Sequence, residues 1–340
     1  MQKNLIPLPG RIYHVIPGFE DHLFAELKKP PTSLFRISAS LYHDQEQTPP
    51  QIYWQQNCWL EPFRLEFGSI NEAASALRSI QRNWAACLHS HFRRGALIES
   101  RLPPISARPR PFPWELGATP MGIAPMGVAP MGVAPMGVAP MGAWTLLDEH
   151  TMIASAHCSS PFPNGVIEFA EDKEGPPSRA YLKLWEALVR LRCWPEAGER
   201  CLDAGASPGG WSWALARLGA LVIAVDRAPL EDRIAAMPGV EYLRRDAFAL
   251  KPQDIGPIDW LFCDVACYPP KLYQWIEQWL SSGMCKNFVC TIKLQGLDLD
   301  TPRRFAEIPD STLTHLYHNK HELTWMYQIK SVRPVRRDFS

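Results

Sequence analysis

The chain has 340 residues, 46% of them hydrophobic, enough for two domains with separate cores. Its 35 basic and 35 acidic residues cancel, so no global field announces a nucleic-acid partner and any basic surface must be local. Nine scattered cysteines with no C-x-x-C pair argue against a disulfide framework or zinc site. No apolar run is long enough to span a membrane and the N-terminus carries no secretory h-region, so a cytoplasmic protein is expected.

Residues 11–16 read as a strand that Pro17-Gly18 breaks. Residues 19–29 have helical spacing at Phe19, Leu23 and Leu27, with acids early and lysines late, as the helix dipole prefers. Residues 34–38 and 51–54 read as short strands. Ser69-Ile-Asn-Glu72 is a capping box, and Ile70, Ala73, Leu77, Ile80 and Trp84 trace one face of the helix it opens. Residues 96–100 read as a further strand, so 1–101 is a small α+β domain.

Residues 102–142 break that pattern. Residues 103–113 are rich in proline and arginine, and Pro-Met-Gly then recurs from Pro120, Pro125, Pro130, Pro135 and Pro140. One proline in each pentad rules out a continuous helix, so a loosely extended loop is expected. Residues 144–149 and 152–157 resume strand patterning, and 143–170 close the first domain.

From residue 171 helical and strand segments alternate, the rhythm of a Rossmann-like, doubly wound α/β domain. Within it, Cys201-Leu-Asp-Ala-Gly-Ala-Ser-Pro-Gly-Gly-Trp211 reads as strand, tight turn and helix start. Gly205, Gly209 and Gly210 allow close backbone approach to a ligand, with Ser207, Pro208 and Trp211 completing the turn. Asp203, Asp226, Asp246 and Asp264 each follow or end an apolar strand, which places four carboxylates along one sheet edge. Asp226 suits ribose hydroxyls, and Asp246 suits an adenine amine. The cations of S-adenosylmethionine suit such a pocket better than a pyrophosphate does, because no G-x-G-x-x-G and no lysine flank the turn.

Three more polar residues stand in apolar or aromatic surroundings. Lys183 lies on the helix before the first strand, Lys293 ends Phe288-Val-Cys-Thr-Ile-Lys293, and Glu322 opens the last strand. With Asp264 they make a Lys–Asp–Lys–Glu set. A ribose hydroxyl must lose its proton as it attacks a methyl sulfonium, and a lysine depressed by desolvation and a second cation can take that proton. Lys293 is the candidate base. Lys183 would tune or orient, and Asp264 and Glu322 would position the amines.

These segments resemble the motifs of the FtsJ-type ribose 2′-O-methyltransferases. The resemblance rests on Ser178-Arg-Ala-Tyr-Leu-Lys-Leu, the Asp203–Trp211 turn, Cys263-Asp264, Ile292-Lys293-Leu and His321-Glu322-Leu-Thr. Pro17-Gly-Phe-Glu, Ser160-Pro-Phe and Arg245-Asp-Ala-Phe248 are similar to the branch acting on bacterial 23S rRNA. The resemblance implies a methyltransferase domain behind an RNA-binding domain of ferredoxin-like and THUMP-type build. It also implies a cytidine of 23S rRNA as substrate and Lys293 as proton acceptor. Ala180 stands where that family carries a serine near the cofactor, so that contact is not carried over. The N-terminal domain is shortened, and its RNA contacts fall to Arg93-Arg94, to Arg101, Arg108 and Arg110, and to Arg333, Arg336 and Arg337.

Two other readings stay open. Cytosine C5 methylation would need a nucleophilic thiol, for which Cys267 and Cys290 are candidates. A module that binds S-adenosylmethionine or RNA without turnover is the second. Base N-methylation is disfavoured because Tyr268-Pro-Pro runs in the wrong order for that platform. The histidines at 89, 91, 315, 318 and 321 lack partners at metal spacing, and no obligate protein partner is called for, so a monomer is expected.

Overall fold

The computed structural model describes residues 5–46, 52–105, 109, 112–113, 141–294, 298 and 300–329. The pentad repeat up to Pro140 lies outside them, as do Arg108, Arg110, Arg333, Arg336 and Arg337. Two compact units emerge: residues 1–172 with 314–319, and residues 173–313 with 320–340.

The first unit contains strands β1 (Leu5–Pro7) and β2 (Arg11–His14), helix α1 (Glu20–Leu27), and strands β3 (Phe35–Arg36), β4 (Leu41–Asp44), β5 (Asn57–Trp59) and β6 (Pro62–Glu66). Helix α2 (Ile70–Ile80), strand β7 (Trp84–Ala86), helix α3 (Phe92–Glu99) and strands β8 (Gly142–Leu146) and β9 (Thr151–Ser155) follow. They form a four-stranded sheet, β3-β4-β2-β5, and a five-stranded sheet, β1-β6-β9-β8-β7. Phe63, Leu65, Leu77, Trp84, Ile98, Trp144 and Met152 share one buried core, which explains the apolar faces of α2 and α3.

Several expectations need correction. Residues 96–100 belong to α3 and its cap, not to a strand. The strand expected at 51–54 is absent among the described residues, and the pairing falls to β4 and β5 instead. Helix α2 stops at Ile80, and Trp84 belongs to β7. The Trp84 indole N–H donates to the carbonyls of Leu77 (2.9 Å) and Gln81 (3.1 Å), which satisfies the helix end and explains why Trp84 tracks the helical face. Ser69 Oγ accepts from Glu72 N at 3.2 Å as expected, but Glu72 reaches back to Gly68 N rather than to Ser69.

Residues 314–319, placed in the second domain from the sequence, go with the first unit. His315 N donates to Tyr53 O at 3.0 Å, and its ring lies 4.8 Å from Phe19 and 5.0 Å from Trp54.

The second unit contains α4 (Tyr181–Leu191), β10 (Arg200–Ala204), α5 (Gly210–Arg217), β11 (Leu221–Asp226), α6 (Asp232–Ala235), β12 (Val240–Arg244) and α7 (Pro252–Ile255). It continues with β13 (Ile258–Cys263), α8 (Pro269–Ser282), β14 (Cys285–Lys293), α9 (Asp300–Ala306), β15 (Ser311–Thr314) and β16 (Glu322–Gln328). The sheet has seven strands in the order β12-β11-β10-β13-β14-β16-β15. Strands β10 to β14 pair in parallel, and β16 runs antiparallel to β14. The parallel strands are near-continuous apolar runs such as Trp260-Leu-Phe-Cys263, as expected of strands covered on both faces. Strand order reverses at β10, between β11 and β13, and that switch point is where open α/β sheets bind ligands.

Candidate active site

Parallel pairing fixes the carboxylate edge. Asp203 lies near the end of β10, Asp226 ends β11, Asp246 follows β12 by two residues, and Asp264 follows β13 directly. All four therefore sit at the same edge of the sheet.

Their environments differ. Asp203 is buried; its Oδ2 accepts from Ser212 Oγ at 2.6 Å, and its Oδ1 has no partner. Burial pushes the Asp203 carboxyl up to about 7; the Ser212 hydrogen bond opposes that rise, and the Asp264 and Asp226 charges add to it. Asp226 spans the turn, accepting Ser207 N at 3.1 Å and Ala228 N at 2.9 Å. Asp246 accepts from Phe248 N at 3.0 Å as a cap.

The glycine turn is held by packing as well as backbone. Gly205 and Gly209 have φ of +82° and +118°, a region that L side chains rarely adopt. A Cβ at Gly205 would lie 2.7 Å from Val265 Cγ2, one at Gly209 2.7 Å from Ile234 Cγ2, and one at Gly210 2.7 Å from Ser178 Oγ. The close approach these glycines permit is therefore to the chain itself, a reason that reading the turn as a ligand cradle did not include. Ser207 Oγ donates to Pro229 O at 2.8 Å, and Pro208 O accepts Glu231 N at 3.1 Å. Trp211 is buried, its indole N–H donating to Ala180 O at 2.9 Å, so it fastens α5 to the start of α4.

These groups fit a nucleoside cation. Asp226 and Asp246 can accept from hydroxyls and an amine, and Asp203 leaves one oxygen unpartnered beneath the turn.

The Lys–Asp–Lys–Glu set converges. Lys183 Nζ lies 2.9 Å from Asp264 Oδ2 and 2.9 Å from Glu322 Oε1. Lys293 Nζ lies 2.5 Å from Asp264 Oδ1 and 3.6 Å from Glu322 Oε2. Each carboxylate thus bridges both amines. Lys293 and Glu322 are register partners across β14 and β16, which sets that contact by strand pairing alone. Lys183 comes from the first turn of α4 and Asp264 from the end of β13. Lys293 is the more open amine, its side chain 25% exposed against 12% for Lys183.

The electrostatics fit the role expected of Lys183. Burial works against a charged Lys183, but Asp264 and Glu322 outweigh it and keep that ammonium above the ordinary lysine value. Lys183 is therefore a fixed cation, as the second amine of the set was expected to be. Burial alone would raise the carboxyls of Asp264 and Glu322, yet the two lysines hold both below the usual range.

One site residue was missed in the sequence. Thr291 is buried two residues before Lys293 and donates its hydroxyl to Asp264 Oδ1 at 2.5 Å. The period of a strand puts residues 291 and 293 on one face, so the signal was available. The thiols read differently: burial pushes Cys267 up to about 11 and Cys290 well up, so neither is a thiolate near neutral pH. All nine cysteines are free, and no metal-binding group of histidine, cysteine and carboxylate occurs among the described residues. Among them, too, no helix is long and apolar enough to cross a membrane.

Comparison with known proteins bears out the resemblance. Residues 176–296 match the model of the FtsJ-like methyltransferase family. The chain is 34% identical over 188 residues to a ribosomal RNA large subunit methyltransferase M from Azoarcus sp., covering 50% of this chain and 51% of that protein. It is 36% identical over 172 residues to the protein of the same name from Halorhodospira halophila, covering 48% and 50%. The chain thus spans about half the length of the curated relatives it matches. Among solved structures, the fibrillarin pre-rRNA processing protein of Methanococcus jannaschii aligns with a TM-score of 0.33 at 20% identity, over 43% of this chain and 74% of that one.

Proposed function

We propose that the second unit transfers a methyl group from S-adenosylmethionine to a ribose 2′-hydroxyl of large-subunit ribosomal RNA, at a cytidine of the 23S species. One observation carries the reading: two amines and two carboxylates alternate around a single point beside the glycine turn. The family match over 176–296 and the names of the relatives support the methyl donor and the RNA.

Asp226 and Asp246 would hold the nucleoside, and the turn from Gly205 to Gly209 the methionine end. The bound cofactor supplies the electrophilic methyl of its sulfonium. Lys293 accepts the 2′-hydroxyl proton as the oxygen bonds to the methyl carbon, and the electron pair of the methyl–sulfur bond stays on sulfur. Lys183, fixed as a cation, keeps Asp264 and Glu322 ionised and aligned on Lys293. Asp264, held by Thr291, sets where the Lys293 amine sits. The first unit is assigned to RNA binding as a shortened ferredoxin-like, THUMP-type module, with Arg93, Arg94 and Arg101 as its phosphate contacts.

The test is mass-spectrometric mapping of ribose methylation in 23S rRNA from cells with and without the gene. It is paired with methyl transfer by purified protein carrying Lys293→Ala, Cys267→Ser or Cys290→Ser. One ribose mark lost with the gene, and activity lost on the lysine change alone, supports the reading. A lost base methyl, with activity lost on a cysteine change, replaces it with C5 chemistry. Cofactor binding without transfer to any RNA leaves a non-catalytic module.

A further inference from the structure

The loop between Asp264 and α8 carries a residue that neither the fold nor the Lys–Asp–Lys–Glu set uses. Tyr268 is 67% exposed, the most exposed of the large hydrophobic side chains in the structure's described residues. Single exposed apolar side chains are ordinary, so what singles out Tyr268 is its place in the loop that follows Asp264.

Its setting is specific. Tyr268 is the N-cap of α8, with φ −66° and ψ 134°, and Pro269 opens the helix with Pro270 behind it. A proline restricts the residue before it to extended backbone, and Pro269 is buried, so the stem of the ring is stiff at both ends. Tyr268 lies four positions after Asp264, at most about 14 Å of chain. The loop that carries Tyr268 leaves the C-terminal end of β13, the same sheet edge at which Asp203, Asp226 and Asp264 lie. Lys271 is itself drawn inward, its Nζ 4.5 Å from the Phe248 ring, so it does not cover Tyr268.

A substrate whose ribose hydroxyl reaches a half-buried amine cannot keep its base in a helical stack. The base must be splayed out, and RNA-binding proteins meet such bases with aromatic faces. We propose that Tyr268 stacks on the nucleobase of the nucleotide being methylated and so sets its ribose in line with Lys293. The inference rests on the ribose-methyltransferase reading above. Stacking uses the face of the ring and not the hydroxyl. The stiff stem limits the ordering cost of using it.

The experiment measures methyl transfer from S-adenosylmethionine to 23S rRNA transcribed in vitro, for the full chain and for Tyr268→Ala, Tyr268→Phe and Tyr268→Trp. Binding of S-adenosylhomocysteine to each is measured separately. Loss of one base–aromatic stack predicts that Tyr268→Ala lowers kcat/KM for RNA on the order of 10- to 100-fold, chiefly through KM. Tyr268→Phe and Tyr268→Trp stay within about threefold of the unaltered protein, and all four bind S-adenosylhomocysteine equally. An alanine variant within twofold of the parent overturns the inference while the catalytic reading stands. So does a phenylalanine variant as impaired as alanine, or a parallel loss of S-adenosylhomocysteine binding. If the unaltered protein transfers no methyl to ribose, the catalytic reading falls and this inference with it.

Discussion

Thr291 and Lys293 meet the same oxygen of Asp264, each at 2.5 Å, from one face of one strand. Asp264 Oδ1 is thereby filled by two donors while Oδ2 is left to Lys183. Removing the hydroxyl frees the carboxylate to turn. Thr291→Val should lower kcat about tenfold with little change in KM for RNA, and Thr291→Ser should retain most activity. Steady-state kinetics of the three proteins decide this; equal rates for all three would remove Thr291 from the site.

The buried Asp203 makes a pH prediction with a definite sign. Its folded value, about 7, lies above that of an exposed carboxyl, so between about pH 4 and 7 the unfolded chain has released a proton that the folded chain keeps. Stability from this group is present at low pH and is lost as pH rises through that window. Asp203→Asn does not ionise and keeps an acceptor for Ser212. The Tm of Asp203→Asn minus that of the parent should therefore climb from pH 4 to pH 7 and level off above. A difference that is flat or falling across that range would show that Asp203 does not keep its proton.

Gly205 tests the turn. Alanine there must hold φ near +82° and place a Cβ 2.7 Å from Val265 Cγ2 and 3.0 Å from Val265 N. The strain is on the order of 1–3 kcal/mol. Because Val265 follows Asp264, the displacement carries to the site. Denaturant unfolding should show the loss of stability, and methyl transfer should fall further than stability alone explains. An unaltered midpoint and rate would refute the account of the turn.

Lys183 and Lys293 should not be interchangeable. Lys293→Arg keeps a cation but offers no amine that can take a proton near neutral pH, so transfer should drop by about 10² or more. Lys183→Arg keeps the fixed charge and should retain measurable activity. Single-turnover rates at saturating RNA separate the two, and equal losses would argue against distinct roles.

What the sequence disclosed follows the physics of each element. The second unit was legible because parallel strands covered on both faces are long apolar runs, and the acids at their ends are conspicuous against them. The first unit was harder. Ala96-Leu-Ile98 is an apolar run too short for its period to separate strand from helix, and α3 is fixed by burying Ile98 in the core it shares with α2. Strands β3, β5 and β7 have two or three residues each, below the length at which alternation is visible. Glu322 was found because it opens a strand after a polar turn. Thr291 was passed over because a buried threonine mid-strand looks like packing. The upward shift of Lys183 could not be read from the chain, since it depends on two carboxylates brought from 81 and 139 residues away.

With both amines protonated the charges of the Lys–Asp–Lys–Glu set sum to zero, and with Lys293 free to accept a proton the set carries one net negative charge. Deleting either amine leaves a surplus anion beside the place assigned to a sulfonium, so the crippled protein should hold its donor no less firmly than the parent. Such a variant would be a trap, loaded but unable to discharge, with any target RNA it captures held in the act.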